Sequence, residues 1–443
     1  MTDTTIDKPR TSLRGSPDRL KTSIAAGIGT SVENYDFIAY GTASALYFGA
    51  VFFPEEDRFI GTLLSFATLA VGFLMRPLGG AIGGYMADRF GRKPVLVAAM
   101  IVMGGATFCI GILPTYATVG ILAPILLVLI RMIQGLAFGA EWGGAITMAY
   151  EHAPANRRGM YAAIPQAGNP LGIAMASAMF VLSAGLEGDW QWRTPFLLSA
   201  VLVIAALFVR SRLSESPEFE DAKASGQTVK NPFLSAWRND WKSILRVVSL
   251  RIVESFTYYS TATYLLNYMA ERFPDIRPLA LGAITAASLV AIFITFAAGS
   301  LSDKVGRKPL YIAGCIAAMA FAFPMYLLTN DAVPALVVLT FIIGIGVIHA
   351  TLTGVQGSLL TEQFGTATRT SGASMGYQIA ASVGGFAPLI AALAVGAIGW
   401  PGASLVVLLA ATIGLIGILT TRETWGKAER RRVAELLAAE DAQ

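Results

Sequence analysis

The chain has 443 residues, 54% of them hydrophobic and only 14% charged, with 33 Lys and Arg against 29 Asp and Glu for a formal net charge of +4. Water-soluble domains do not reach that balance, so they are excluded as a class and the chain is an integral membrane protein. The slight positive excess is spread over connections and forms no basic patch, which argues against a nucleic-acid partner.

Residues 1–21 are polar and basic, with neither an apolar core nor a small-residue cleavage site, so they read as a cytoplasmic tail and not a signal peptide. Twelve apolar segments follow: 22–48, 60–87, 95–113, 119–150, 160–184, 194–210, 243–270, 279–301, 309–328, 333–361, 370–398 and 401–421. Hydrocarbon offers the backbone no hydrogen-bond partner, so each is expected to be a helix. Connections rich in Lys and Arg, such as those holding Arg89, Arg92 and Lys93 or Lys304, Arg307 and Lys308, alternate with connections holding only Arg58, Arg193, Arg272 and Arg277. The positive-inside rule then places both chain ends and the central loop in the cytoplasm.

The first segment contains GTSVENYDFIAYG, with Glu33 and Asp36 three residues apart on one helix face. A charge near the bilayer centre costs about 2.5 to 3.5 kcal/mol, so these acids must face a cavity or a partner. Arg131, in the fourth segment, lies about 18 Å along its helix and is the available cation. The second segment carries Arg76 before Pro77; the fifth carries Gln166 and Asn169; the seventh, LRIVESFTYYSTATYLLNY, carries Arg251, Glu254, Tyr258, Thr261 and Tyr268 at helical spacing; the eleventh carries Tyr377 and Gln378. Arg76, Arg131 and Arg251 near one another would attract an anion. Pairing of Arg251 with Glu254, or a place in a cytoplasmic gate, is the equal alternative, and His349 in the tenth segment reads more readily as a hydrogen-bonded packing residue than as a proton relay. Cys109 and Cys315 lie in different apolar helices without ligand spacing and are read as packing residues.

The polar stretch 211–242 separates two halves, 22–210 and 243–421, that echo one another, and 422–443 forms a second cytoplasmic tail. GYMADRFGRKP (84–94) returns as GSLSDKVGRKP (299–309), setting Asp88 against Asp303, Gly91 against Gly306 and Arg92 against Arg307. Glu151, Arg158 and Gln166 likewise match Glu362, Arg369 and Gln378. Such duplication suits a transporter made of two rocking six-helix bundles. Within each loop, Gly84 permits close helix approach, and Asp88 can meet either Arg92 or the N-terminus of another helix. A tight basic turn that only fixes topology is the alternative.

These loops, with FLMRPLGG (73–80), RMIQGLAFGAEWGGA (131–145), WRTPFL (192–197) and SGASMGYQIAASVGGFAPLIAAL (371–393), resemble the major facilitator superfamily and, within it, the bacterial metabolite:proton symporters. The resemblance implies an all-α fold of twelve transmembrane helices in two pseudo-symmetric bundles, set in the bacterial inner membrane as a monomer. It also implies a cytoplasmic latch built on Gly84, Asp88, Arg89, Gly91 and Arg92, its weaker counterpart Asp303, Gly306 and Arg307, and the flanking Glu151, Arg158, Glu362 and Arg369. RMIQG resembles the superfamily's fourth-helix Arg signature and NYDFIAYG its first-helix Asp segment. Asp36 is accordingly the expected proton carrier, Arg131 its switchable partner and Glu33 the second acid, with a static ion pair as the alternative. Asn34 stands where the family pattern has an aromatic, and with Tyr35, Tyr40 and Gln134 it joins Arg76, Gln166, Asn169, Arg251, Glu254, Tyr258, Tyr377 and Gln378 as the expected substrate contacts.

The function implied is proton-driven uptake of a small organic anion, such as a shikimate-like carboxylate, by alternating access. A zwitterionic solute of the proline or betaine type, or proton-coupled export, is the alternative. QAGNPLGIAM (166–175) lacks the paired glycines of drug antiporters, which favours uptake. With no P-loop, no HExxH and two histidines, neither ATP, a metal, a cofactor nor enzymatic chemistry is expected. The closing WGKAERRRVAELLAAEDAQ could lie on the inner leaflet as an amphipathic helix, but a solvated tail without a role is the simpler expectation.

Overall fold

The computed structural model describes residues 19–211 and 232–441 apart from Gly91, 140–142 and 366–368. Among the described residues there is no strand, and all twelve apolar segments fall on helices. They are α1 (19–52), α2 (58–90), α3 (Arg92–Ile112), α4 (Leu122–Gly139 and Gly143–His152), α5 (Arg158–Ser183), α6 (Trp190–Ser211), α7 (232–272), α8 (Arg277–Val305), α9 (307–327), α10 (Pro334–Thr361), α11 (369–398) and α12 (Pro401–Thr420). A thirteenth, α13 (Lys427–Asp441), follows them.

The helix pairings display the duplication. In the first half α1 packs on α5, α2 on α4 and α3 on α6; in the second, α7 packs on α11, α8 on α10 and α9 on α12. Each pair recurs six helices later. The two bundles meet where α5 lies against α8 and α2 against α11, which the same six-helix shift interchanges. At the α5–α8 crossing Gly159 and Gly299 face one another, and a Cβ on either would overlap the opposite backbone. Small residues at this contact let the two bundles approach closely without the hydrophobic effect that drives packing in water.

Polarity runs inside-out relative to a soluble protein. Phe293 is 74% exposed and Leu182 73%, whereas Asp36 and Arg131 are fully buried. An apolar perimeter meets lipid and the ionisable groups lie between helices, where their charge can be answered. α1 and α7 are also interrupted at equivalent places by π-helical segments, Ser44–Phe48 and Ser260–Leu265. Such insertions loosen the backbone ladder and are frequent at functional sites. Two packing expectations need correction. Cys315 is buried as expected, but Cys109 is exposed on the apolar perimeter. The chain end after α12 is no free tail, since Trp425 and Val433 are buried against Ala155.

Candidate functional site

The first-bundle centre is built on α1, α2, α3 and α4. Asp36 is completely buried, and neither carboxylate oxygen has a hydrogen-bond partner among the described residues. Thr107, Arg131 and the buried Glu33 are the groups that bear on it electrostatically. The Arg131 guanidinium instead donates to the Gln134 side chain, whose amide donates to the Thr107 hydroxyl at 2.7 Å. It also lies 4.1 Å from the ring centres of both Phe37 and Tyr40. No direct Asp36–Arg131 ion pair is formed among the described residues, since Gln134 and two ring faces hold the guanidinium; the static pair, given above as the alternative, is not the arrangement here.

Arg76 repeats the pattern. Its guanidinium sits 3.9 Å from the Phe37 ring centre, 4.0 Å from Phe73 and 3.8 Å from Phe138, with Nε unpartnered among the described residues. Ring faces return about 2 kcal/mol to a desolvated cation, whereas burying an ion costs several. Both arginines thus retain positive charge that an anion could answer. Arg131 and Arg251 both lie near enough to Arg76 to repel it, which brings the three predicted cations together across the bundle interface.

The second-bundle centre is more fully bonded. Arg251 pairs with Glu254 and donates to the Tyr377 hydroxyl at 2.8 Å. Glu254 also lies 2.9 Å from His349 Nε2 and accepts from the Thr353 hydroxyl at 3.3 Å, while the Tyr258 ring packs 5.1 Å from the imidazole. Of the alternatives left open for Arg251, pairing with Glu254 is the one the structure contains, and His349 is hydrogen-bonded. The centres touch through Ser382, which donates to the Phe73 carbonyl at 2.8 Å, and through Phe73 edge-on to Tyr259.

Several expected substrate contacts are committed elsewhere. Asn34 donates to the Thr30 carbonyl of its own helix at 2.7 Å, Tyr35 donates to the Pro195 carbonyl at 2.7 Å, and Tyr40 donates to Thr68 at 2.6 Å. Gln134 is spent on Arg131 and Thr107, and Gln166 reaches the Thr353 carbonyl at 3.3 Å. Asn169 is half-buried. Gln378 keeps both amide atoms buried and unpartnered among the described residues, and so does Gln356, which the sequence reading missed. A glutamine inside the apolar run of α10 was the available signal. Gln356, Gln166, Thr147 and Ser374 line a cavity of about 10 Å3, room for one water.

The end of the molecule that carries α13 is bridged between bundles. The Asp303 carboxylate accepts from the backbone N–H groups of Gly159 at 2.8 Å and Met160 at 2.9 Å, the first turn of α5, where the helix dipole favours an anion. Arg307 holds the same carboxylate at 2.8 Å and reaches Glu362 at 3.3 Å, and Arg369 pairs with Glu151 at 3.4 Å. Arg158 donates to the Tyr150 hydroxyl at 3.4 Å. Burial pushes the Glu362 carboxyl up against the opposing pull of Arg307. Gly306 joins α8 to α9 at φ 112°, a conformation that side chains with a Cβ resist. Gly84 falls within α2, while Gly91, Glu141 and the side chains of Asp88, Arg89 and Arg92 lie outside the described residues. The opposite end is bridged by Asn267, which donates to the Ala45 carbonyl at 2.9 Å, and by Glu271, which accepts from Thr62 at 3.3 Å.

Residues 37–387 match the family model for the Major Facilitator Superfamily. The chain belongs to that superfamily. Among its relatives in this superfamily, the shikimate transporter of Escherichia coli (strain K12) is 38% identical over 84% of this chain and 87% of its own length. The proline/betaine transporter of Salmonella typhimurium is 33% identical over 91% of this chain and 83% of its own. The crystal structure of a D-xylose-proton symporter superposes with a TM-score of 0.71 at 18% identity, covering 92% of this chain and 99% of the symporter. That likeness carries the major facilitator fold of twelve transmembrane helices in two pseudo-symmetric bundles. The chain is a membrane-spanning transporter, not an enzyme.

Proposed function

We propose that the chain is a proton-coupled symporter that takes up a small organic anion by alternating access, with its termini and α13 at the cytoplasmic face. The observation that carries this reading is the charge buried in the two bundle centres. Among the described residues there, Arg76, Arg131 and Arg251 stand with Glu33, Asp36 and Glu254, all buried. Three cations match three acids when all are ionised. One proton on an acid leaves one positive charge in excess, and a monocarboxylate restores the balance.

Asp36 is the proton carrier on this reading, because it alone of the three acids combines complete burial with two unpartnered oxygens. Glu33 is its second. The substrate carboxylate is met by Arg76, Arg131 and Arg251, and its hydroxyls by Gln356 and Gln378. Asp303, Arg307, Glu362, Glu151 and Arg369 form the cytoplasmic latch between the rocking units 22–210 and 243–421, joined by 211–242. The shikimate transporter among the relatives supports a carboxylate, and the proton symporter fold supports the coupling ion. The proton gradient is the energy source, with no cofactor.

The test is uptake into proteoliposomes from a panel of labelled shikimate, other monocarboxylates, proline and glycine betaine, with and without an imposed proton gradient. Carboxylate accumulation that requires the gradient is expected. In Asp36→Asn, accumulation should vanish while substrate-for-substrate exchange persists. The adjacent opposite charges of Arg251 and Glu254 give a zwitterion a specific second chance; accumulation of betaine with the carboxylates idle would move the assignment there.

A further inference from the structure

Glu254 and Asp36 are both buried acids, but their surroundings are opposite. Asp36 has two unpartnered oxygens among the described residues, whereas both oxygens of Glu254 are met twice. Its Oε1 faces His349 Nε2 at 2.9 Å and the Thr353 hydroxyl at 3.3 Å; its Oε2 faces the Arg251 guanidinium and the Ser255 hydroxyl at 3.4 Å. A carboxylate beside an arginine only accepts, so the imidazole carries its proton on Nε2 and donates it. These donors fill the roughly four lone-pair sites of a carboxylate. Glu254 has no acceptor capacity left for a substrate hydroxyl.

The donors are of two kinds. Arg251 brings a charge, and it has ties beyond Glu254: it donates to the Tyr377 hydroxyl on α11 at 2.8 Å, and its charge acts on Arg76 in the first bundle. His349 and Thr353 stand one turn apart on α10, and Ser255 follows Glu254 on α7, so these three neutral donors stay with the carboxylate wherever the guanidinium turns. Withdrawal of Arg251 leaves Glu254 with three hydrogen bonds, where a bare buried charge would be far costlier. Arg251 can thus change partners without orphaning the acid it leaves.

We propose that Glu254 is an internal counter-ion, which holds Arg251 between transport events, yields it to the substrate carboxylate and reclaims it as the substrate leaves; this rests on the organic-anion reading above. One carboxylate replaces another on the same guanidinium, so Arg251 is never left bare, and neither a proton nor a covalent bond moves at Glu254. Asp36 remains the proton carrier. Competition of this kind weakens binding and quickens release, since an anion that met an unopposed Arg251 would be slow to leave. Glu254 is a positioning residue in that cycle. It acts on the substrate through Arg251, while His349 and Thr353 act through Glu254.

The experiment measures equilibrium binding of labelled shikimate, or of the best-accumulated monocarboxylate of the panel if shikimate is not carried, to the purified full chain, with kcat for uptake into proteoliposomes alongside. Glu254→Gln keeps the shape and removes the competing charge. Its Kd should fall by about tenfold, the scale of a charge-assisted hydrogen bond, while kcat falls with slowed release. Thr353→Val takes one neutral donor from Glu254 and leaves Arg251 in place, so Glu254 holds Arg251 more firmly; Kd should rise by about threefold with kcat undiminished. Opposite signs in the two variants set this role apart, because a direct substrate contact or a merely structural role would raise Kd in both. A Kd unaltered or raised in Glu254→Gln overturns the proposal. Should that variant not fold, Thr353→Val decides: Kd unaltered, or raised with a matching fall in kcat, overturns it. If the unaltered protein carries no carboxylate, the organic-anion reading falls and this role with it; carriage with Kd unmoved in Glu254→Gln removes this role alone.

Discussion

Arg131 rests on two aromatic faces and the Gln134 side chain, with Nε and Nη2 unpartnered among the described residues. The planar fork matters there as much as the charge, because an ammonium can neither lie flat on Phe37 and Tyr40 nor reach Gln134 in the same geometry. Arg131→Lys is expected to lower the initial uptake rate about tenfold or more, from the roughly 2 kcal/mol a desolvated cation gains over a ring. Arg131→Gln should abolish accumulation, and initial rates in proteoliposomes decide both. A Lys variant at full rate would show that the guanidinium plane is immaterial. Glu33, Asp36, Arg76 and Arg131 were legible in the sequence because charge inside an apolar run is too costly to be idle. Their aromatic seat was not. Phe37, Phe73 and Phe138 look like any lipid-facing or core phenylalanine until the helices are packed. The same limit holds for Tyr35 and Asn34: a polar side chain beside the acids could turn inward or bond elsewhere, and here the Tyr35 hydroxyl donates to Pro195 and the Asn34 amide to Thr30 of its own helix.

Asp303 joins the end of α8 to the first turn of α5, across 144 residues of sequence, through two backbone N–H groups and Arg307. Asn at this position keeps the shape and loses the charge. Charge-assisted hydrogen bonds are worth about 1.5 to 3 kcal/mol, so Asp303→Asn should shift the closed-to-open equilibrium of that end by about tenfold or more. A cysteine at Ser374, beside the one-water cavity between bundles, reports the shift in a background with Cys109 and Cys315 replaced by Ser. Its labelling by a soluble maleimide from the α13 face is expected to quicken in the Asn variant. Equal labelling in both backgrounds would remove Asp303 from the latch. The repeated DKVGRKP and DRFGRKP loops were visible in the sequence as loops. Which helix end Asp303 would grip was not, since Gly159 and Met160 carry no side-chain signal for receiving a carboxylate.

The six-helix shift that relates the bundles does not extend to α13, and the segment leading into it breaks the symmetry at the latch. Glu423 accepts from the backbone N–H groups of Arg307 at 3.1 Å and Lys308 at 2.9 Å, capping α9, while the Trp425 indole donates to the Asp303 carbonyl at 2.8 Å. Thr424 donates to Glu362. Trp425 and Val433 then bury themselves against Ala155, which belongs to the connection between α4 and α5 of the other bundle. The chain end thus contacts both bundles. An amphipathic tail reads alike in sequence whether its apolar side meets solvent, lipid or a docking groove, which is why no role could be assigned to it there. Ending the chain at Thr421 removes the Trp425 bond to the Asp303 carbonyl and the Thr424 bond to Glu362, and should speed opening at this face. Burial of a large aromatic contributes about 2 to 3 kcal/mol, so hydrogen exchange at the Gly159 and Met160 amides should quicken at least tenfold in the shortened protein. Exchange of α3, which has no hydrogen bond to the chain end among the described residues, serves as the control. Faster exchange confined to α5 and α8 would place the chain end in the gating cycle, whereas equal acceleration everywhere would mean that it contributes only to global stability.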